Sequence, residues 1–397
     1  MKTKIFSGLF ILALLAIGCV SEFNASLPSN EKQILVVEGN IIENSNATFY
    51  ISKSYPMDSS SVPPEIFDIE AKVTIIGSNG YKSAPAIDQG KGAYSINVGQ
   101  LDDNVKYGIQ IEYDGETYQS ALSKPLHTPE IDSVSWIQPE AAGTISFRVS
   151  THDDNTGEAS FFMWNYVETW EFSAYYNTTI FLDPTTNSFY TASPAPYYFC
   201  WRNNVSNNSY LIGSTESLTK NTIINQKIFQ GDAGDERFSI LYSVLVYQKA
   251  ISKAAFDFYQ NKIKLNEEMG GLFSPQPSEL GGNITCITNA SQKVTGYVEV
   301  IKNVTQKRIF VDRNQISRPH IVPPDCPLIS NDDVLSKLAN TQGVYSDFYN
   351  LGYRPAGYAN PRHPNIPDNW AYVFCTDCTY NRDGSKDRPD FWPNDDK

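Results

Sequence analysis

Residues 107–122 read YGIQIEYDGETYQSAL. Tyr107, Ile109, Ile111 and Tyr113 alternate with Gly108, Gln110 and Glu112, so an extended chain here has one apolar face and one polar face. Asp114-Gly115 follows. A two-residue turn of that composition tolerates the positive φ a hairpin needs, so Thr117 to Leu122 should pair back on the first strand. Outward from this hairpin, Gln33 to Ile42 (QILVVEGNII), Ala47 to Ser52 and Ala71 to Gly77 read as further short strands. In Ala71 to Gly77, Val73 and Ile75 alternate with Lys72 and Thr74. Strands at this spacing over about a hundred residues predict an immunoglobulin-like β-sandwich across 33–130. The boundary falls in Leu126 to Ile131 (LHTPEI), where Pro129 interrupts strand pairing.

Residues 131–397 predict a larger, aromatic-rich β domain carrying one main α-helix, so the fold class is mainly β. Ile145 to Val149 is a candidate strand, and Phe161 to Phe172 (FFMWNYVETWEF) is too aromatic and β-branched for a helix. Tyr197, Tyr198, Phe199 and Trp201 surround Cys200 in another strand. Arg237 to Tyr247 (RFSILYSVLVY) is nearly continuous in apolar residues and suits the middle of a sheet. The helix spans about 252–269. Ser252 is its N-cap, Phe256, Tyr259 and Ile263 form its core stripe, and Gly270-Gly271 stops it. Strands resume at Ile284 to Ile287 and Val294 to Ile301. Beyond about residue 318 the chain reads as a Pro-rich, irregular tail.

The first eighteen residues, MKTKIFSGLFILALLAIG, form a leader: Lys2 and Lys4, then an apolar run from Ile5 to Ile17. That run is shorter than the ~20 residues a bilayer span needs, so it predicts a secretory signal. It ends at Ala16-Ile17-Gly18-Cys19, which resembles a bacterial lipobox with Ala16 in place of the usual Leu. Cys19 is therefore the predicted lipidation site, and residues 19–32 a polar tether. Each buried acyl CH₂ contributes ~0.8 kcal/mol, so several chains on one cysteine hold a folded body at a membrane. Glu22, close to the lipidated cysteine, resembles the acidic signal that exports some lipoproteins to the outer face of the outer membrane, and on that resemblance the expected localisation is the outer membrane, with the body at the cell surface or on the periplasmic face. The net charge of −13 becomes −15 once Lys2 and Lys4 leave with the leader. Such a surface repels phosphate backbones, which argues against nucleic acid as a partner.

Five further cysteines, Cys200, Cys286, Cys326, Cys375 and Cys378, would oxidise outside the cytoplasm. Five is odd, leaving one unpaired and fifteen two-bridge arrangements open. Cys375-Thr376-Asp377-Cys378 is a CxxC, yet no second CxxC exists to complete a zinc site, so disulfides are the reading. No HExxH, no Gly-x-Ser-x-Gly and no phosphate-binding glycine loop occurs, and neither a cofactor nor a metal is expected. His127, His152, His320 and His363 sit apart in loop-like contexts. Glu168 and Glu171 are three apart on a strand and so point to opposite faces, which argues against a paired-carboxylate site. Tyr175, Tyr176 and Tyr197 are the candidate ligand-binding residues, since tyrosine faces give large contact area at low entropic cost.

Several segments are similar to one family. They are Val36-Val37-Glu38-Gly39, Phe162 to Trp170, Tyr198-Phe199-Cys200-Trp201, Gly270 to Pro277 (GGLFSPQP), Gly282-Asn283-Ile284, Gly296-Tyr297, and the ending from Cys375-Thr376-Asp377-Cys378 to Pro389-Asp390-Phe391-Trp392. Together they resemble the Bacteroidota lipoproteins known as domain of unknown function 4249, with a departure at Val298, where an aromatic is expected. The resemblance implies a cell-surface lipoprotein working beside a TonB-dependent importer, and supplies no catalytic residues. The implied role is a non-catalytic accessory that binds or presents a nutrient, a peptide or a glycan. Two other readings stay open: an unrecognised extracytoplasmic hydrolase, and a structural or adhesion protein of the envelope.

Overall fold

The structure, a computed structural model, describes residues 34–54, 69–153, 160–206, 210–268, 281–319, 325–337, 344–360, 363–380 and 383–393. The leader, Cys19, the tether and His320 lie outside these. The first strands are β1 (Leu35–Ile42), β2 (Ser45–Lys53), β3 (Lys72–Gly77), β4 (Ile87–Gly90), β5 (Ala93–Val98), β6 (Tyr107–Tyr113) and β7 (Glu116–Ser120). Next come β8 (Ile131–Ile137), β9 (Thr144–His152), β10 (Phe161–Ser173), β11 (Ile180–Asp183), β12 (Ser188–Thr191), β13 (Phe199–Val205), β14 (Leu211–Ser214), β15 (Thr222–Asp232) and β16 (Leu241–Ala250). Helix α1 (Lys253–Glu268) precedes β17 (Ile284–Cys286), β18 (Val294–Ile301) and β19 (Thr305–Asp312). The chain closes with β20 (Ile329–Ser330), α2 (Asn331–Lys337), α3 (Val344–Asn350), β21 (Tyr353–Asn360), β22 (His363–Tyr372) and α4 (Val373–Thr376). The protein is mainly β, as its periodicity predicts.

The hairpin that anchors the sequence reading is present. β6 and β7 pair from Gln110↔Gln119 to Tyr113↔Glu116, and Asp114 and Gly115 turn with φ of 51° and 76°. These strands belong to a four-stranded sheet, β17-β7-β6-β3, which packs on a five-stranded sheet, β18-β1-β2-β5-β4. Their alternating residues meet in one core that includes Val37, Phe49, Val73, Ile96, Ile109 and Val298.

The sandwich is not the contiguous 33–130 unit expected from the sequence. β17 and β18 return from residues 284–301 to complete both sheets, and β18 runs parallel to β1 from Leu35↔Val294 to Ile42↔Ile301. Local periodicity carries no trace of a partner some 260 residues away. Gly296 (φ +134°) and Gly282 mark how closely these backbones approach: a Cβ on either would collide with a carbonyl oxygen, that of Val37 or of Gly296. The predicted boundary is also firmly tied. Leu126 N–H donates to Val300 O, and the buried Gln248 amide donates to Pro129 O and to Thr151 Oγ1.

The next module stacks sheet β13-β10-β16-β19, joined by β14, on the three-stranded β15-β9-β8. Phe147, Phe162, Trp164, Phe172, Tyr242 and Val246 fill the space between. Arg237 does not open the apolar strand, as the sequence suggests. It sits in a short 3-10 turn, Glu236–Phe238, and points into the core. There Glu168, 1% exposed, accepts from Arg237 Nη1 (2.6 Å), Tyr242 Oη (2.7 Å) and Asn204 Nδ2 (2.8 Å). Burial works against the Arg237 charge, yet Asp235 and Glu168 together raise its pKa above the ordinary value. Glu171 lies on the other face, accepting from Trp392 Nε1 at 3.3 Å.

Helix α1 matches its predicted span and cap. Ala255 N–H donates to Ser252 Oγ, and Ala255, Phe256, Phe258 and Tyr259 pack on Phe161, Met163 and Tyr297. Ile263, predicted in the stripe, is not part of that cluster. Ser252 also donates from N–H and Oγ to Glu299 Oε2, each at 2.9 Å, so the helix start is keyed to the sandwich strand β18.

Lys249 of β16 reaches this junction, where the Asn40 amide oxygen, suitably oriented, accepts from it at 3.1 Å. Burial holds Lys249 down to about 8 from 10.5 although Glu299 opposes the shift. Burial likewise pushes Glu299 up, against Ser252 and Lys249. Around them, Glu38 of β1 pairs with Lys262 of α1 at 2.5 Å, and burial raises the Tyr259 and Tyr297 phenols. Between pH 8 and 10.5 the unfolded chain binds more protons at position 249 than the folded one, so Lys249 contributes a rise in stability with pH there, opposed by the buried phenols as pH nears 10. In Lys249→Met that contribution, about 3 kcal/mol, should vanish from the difference between variant and wild-type urea unfolding curves. An unchanged pH slope in the variant would contradict the assignment.

The third module corrects the expectation of an irregular tail. β21 and β22 form a hairpin, β20 adds to β22, and α2 and α3 cover it around Val334, Phe348 and Trp370. The prolines that suggested irregularity fall where they do little harm. β20 pairs only with Trp370 and Asn369, so Pro364 and Pro367 of β22 face β21 alone, beside register shifts.

Candidate functional site

The cysteines define the frame. Cys200 of β13 bonds Cys378, and Cys326 bonds Cys375, so the CxxC does not close on itself; each member reaches a different part of the chain. Cys286 is the buried, free one. The two bridges pin α4 and the turn after it between the central sheet and the third module. Tyr176 supports this brace rather than standing open: its N–H donates to Cys375 O and its hydroxyl to Cys326 O at 2.6 Å. Tyr175 beside it is 44% exposed, its ring edge-on to Tyr176 at 4.7 Å.

Tyr197 takes part in a larger arrangement. In the β11–β12 hairpin, Ile180 and Leu182 turn inward and Phe181 turns out, directly opposite Tyr190 in the register. The Phe181 ring lies 5.6 Å from Tyr190, which is 53% exposed, and 6.0 Å from Tyr197. The Lys386 ammonium sits over the Tyr197 ring at 4.7 Å. Partial burial raises the Tyr190 phenol above its ordinary value, with Tyr197, Tyr349 and Asp183 adding to the effect, so it remains a neutral donor. Asp183 caps its own turn by accepting from Thr185 N–H at 2.8 Å.

The result is a row of rings with a cation at one end, two of the rings on a short hairpin fixed by Thr179 N–H to Gly357 O and Ala192 N–H to Thr179 O. Such a row can stack on the apolar face of a ring or an apolar side chain, while the phenols and ammonium meet polar groups. Phe181, Tyr190 and Lys386 escape sequence reasoning. The alternation Ile180-Phe181-Leu182-Asp183 is four residues long, too brief to distinguish from loop.

His127 and His152 have separate partners. His127 Nε2 lies 3.6 Å from Asp103 and His152 Nδ1 lies 2.7 Å from Asp132, both on exposed surface. Among the described residues no group of three or more His, Cys, Asp or Glu converges as a metal site.

The family model for the domain of unknown function DUF4249 matches residues 20–308. The chain belongs to the DUF4249 family. No curated protein matches it. In this DUF4249 protein the matched stretch contains the sandwich, the β11–β12 hairpin and the central sheet as far as the middle of β19. The cysteines that brace the hairpin's surroundings, Cys326, Cys375 and Cys378, follow after it.

Proposed function

We propose that this DUF4249 protein is a lipid-anchored outer-membrane accessory, its body at the cell surface, that binds a peptide or glycan nutrient and presents it to a TonB-dependent importer. The observation that carries the binding half of this reading is the row Tyr190–Phe181–Tyr197 with Lys386, in which the exposed Tyr190 ring continues into the half-buried Phe181 and Tyr197 rings beside the β11–β12 hairpin. The leader and Cys19 motivate the anchor, and among the described residues no helix is long and apolar enough to cross a membrane.

Cys19→Ala should move the protein from the membrane pellet to the soluble fraction, since the acyl chains supply the attachment. Continued membrane retention would refute the anchor. Pull-down of the full chain from detergent-solubilised outer membrane should recover a TonB-dependent receptor by mass spectrometry; its consistent absence counts against presentation. Phe181→Ala with Tyr190→Ala should weaken capture on a glycan and peptide array by about tenfold or more, as two stacking rings are worth ~0.5–1.5 kcal/mol each. An unchanged binding profile would remove this surface from the account.

A further inference from the structure

Sheet β13-β10-β16-β19 has a second face. Phe162, Trp164, Glu168 and Trp170 of β10 point into the core, so Asn165, Val167 and Thr169 point the other way. Helix α1 covers one end of that face over Phe161 and Met163, and Phe391 and Trp392 cover the other. Between them the pairing aligns Val205, Val167, Leu245 and Arg308 in one row across four strands. Val205 is 49% exposed and the other three are half-buried.

Arg308 is under-used for its burial. Nη1 donates to Ser243 Oγ at 2.9 Å, and the guanidinium lies 3.5 Å from the Phe391 ring centre. Among the described residues no carboxylate is within ion-pair reach of it. Three other guanidiniums are supplied: Arg237 with Glu168 and Asp235, Arg318 with the carbonyls of Ala233, Gly234 and Asp235, Arg354 with those of Tyr349 and Tyr353; Arg148 and Arg202 each leave a buried Nε without a partner, but neither stands at the end of this apolar row. A guanidinium offers five donors in a fork shaped for a carboxylate, and this one stands at the end of an apolar track in a protein of net charge −13.

We propose that Arg308 and the track Leu245–Val167–Val205 bind the free C-terminus of an apolar peptide, its terminal carboxylate on the guanidinium. Three strand spacings give a track of about 14 Å, the length of roughly four extended residues. Asn165 and Tyr247 flank the track without a side-chain hydrogen bond to any described residue, and so can meet peptide N–H and C=O groups. A fatty acid would need the guanidinium and the apolar row but would leave these two polar groups unmatched, which favours a peptide. This site stands on different residues from the aromatic hairpin and does not depend on that reading.

The test uses full-length protein in detergent and fluorescein-labelled Gly-Val-Leu-Val-Leu, followed by anisotropy. The free acid should bind at least about tenfold more tightly than the same peptide ending in an amide, because a charge-assisted pair is lost. Arg308→Gln should erase that preference, and Arg308→Lys should keep part of it. Should Arg308→Gln lower the melting temperature, Val205→Asp at the exposed far end of the track supplies an independent check, expected to weaken the acid peptide severalfold. Tyr190→Ala should leave the preference intact. No binding, equal binding of acid and amide, an unaltered preference in Arg308→Gln, no weakening in Val205→Asp, or displacement by octanoate as effective as by unlabelled peptide would each overturn the proposal.

Discussion

Replacing Cys200 or Cys378 by serine should cost this protein about 2–5 kcal/mol of stability and loosen the aromatic hairpin at the same time. The Cys200–Cys378 bridge spans 178 residues and Cys326–Cys375 spans 49. On a chain-entropy account, closing loops of these lengths disfavours the unfolded ensemble by about 5 and 4 kcal/mol respectively, an upper range that engineered and native bridges approach unevenly. The local wiring makes the longer bridge the more consequential. Cys378 N–H donates to Tyr197 O, and Gly384 packs against Cys200 and Phe172, so the bridge holds the backbone beside the ring row as well as the sheet edge. Unfolding in guanidinium, read separately by tyrosine emission and far-ultraviolet circular dichroism, should show the longer bridge's loss at a lower midpoint than the shorter one's. Peptide mapping under non-reducing conditions should return 200–378 and 326–375, with Cys286 as a thiol. A 375–378 peptide in the map would overturn this arrangement.

The second large effect is expected at Arg237. Its removal, as Arg237→Met, leaves the Glu168 carboxylate buried at 1% exposure with, among the described residues, two neutral donors, Tyr242 and Asn204. Breaking one side of a buried ion pair typically costs 3–5 kcal/mol, because the remaining charge has lost its water and its partner. The double replacement Arg237→Met with Glu168→Leu should recover much of that loss, since neither charge then remains to be solvated. Urea unfolding of the two singles and the double completes the cycle. A single-variant loss below about 1 kcal/mol would mean that water reaches Glu168 and that the pair contributes little.

What the sequence discloses here follows from the range of the forces involved. The β6–β7 hairpin, the capped helix after Ser252 and the long aromatic strand Phe161–Ser173 are legible because their signals are local: alternation, a turn dipeptide, a capping hydroxyl. The parallel partnership of β1 with β18, the choice among fifteen disulfide patterns and the union of Arg237 with Glu168 depend on tertiary contact. No window of a dozen residues contains them. The β21–β22 hairpin was hidden differently, by prolines that local rules count against a strand but that a half-paired strand accommodates. Of the candidate site, Tyr197 was legible as one ring among many. Its neighbours Phe181 and Tyr190 gain meaning only from the cross-strand register that sets them side by side.

The return of residues 284–301 to the first sandwich has a consequence for biogenesis. As the polypeptide emerges amino end first, from the ribosome or from an export channel, its leading hundred residues can form turns but cannot finish either layer. Roughly three quarters of the chain must appear before β17 and β18 arrive to seal the exposed backbones of β7 and β1. During that interval the strand edges of β7 and β1 stay unpaired, and any truncation short of residue 301 should leave a sticky, protease-sensitive product rather than a smaller working domain.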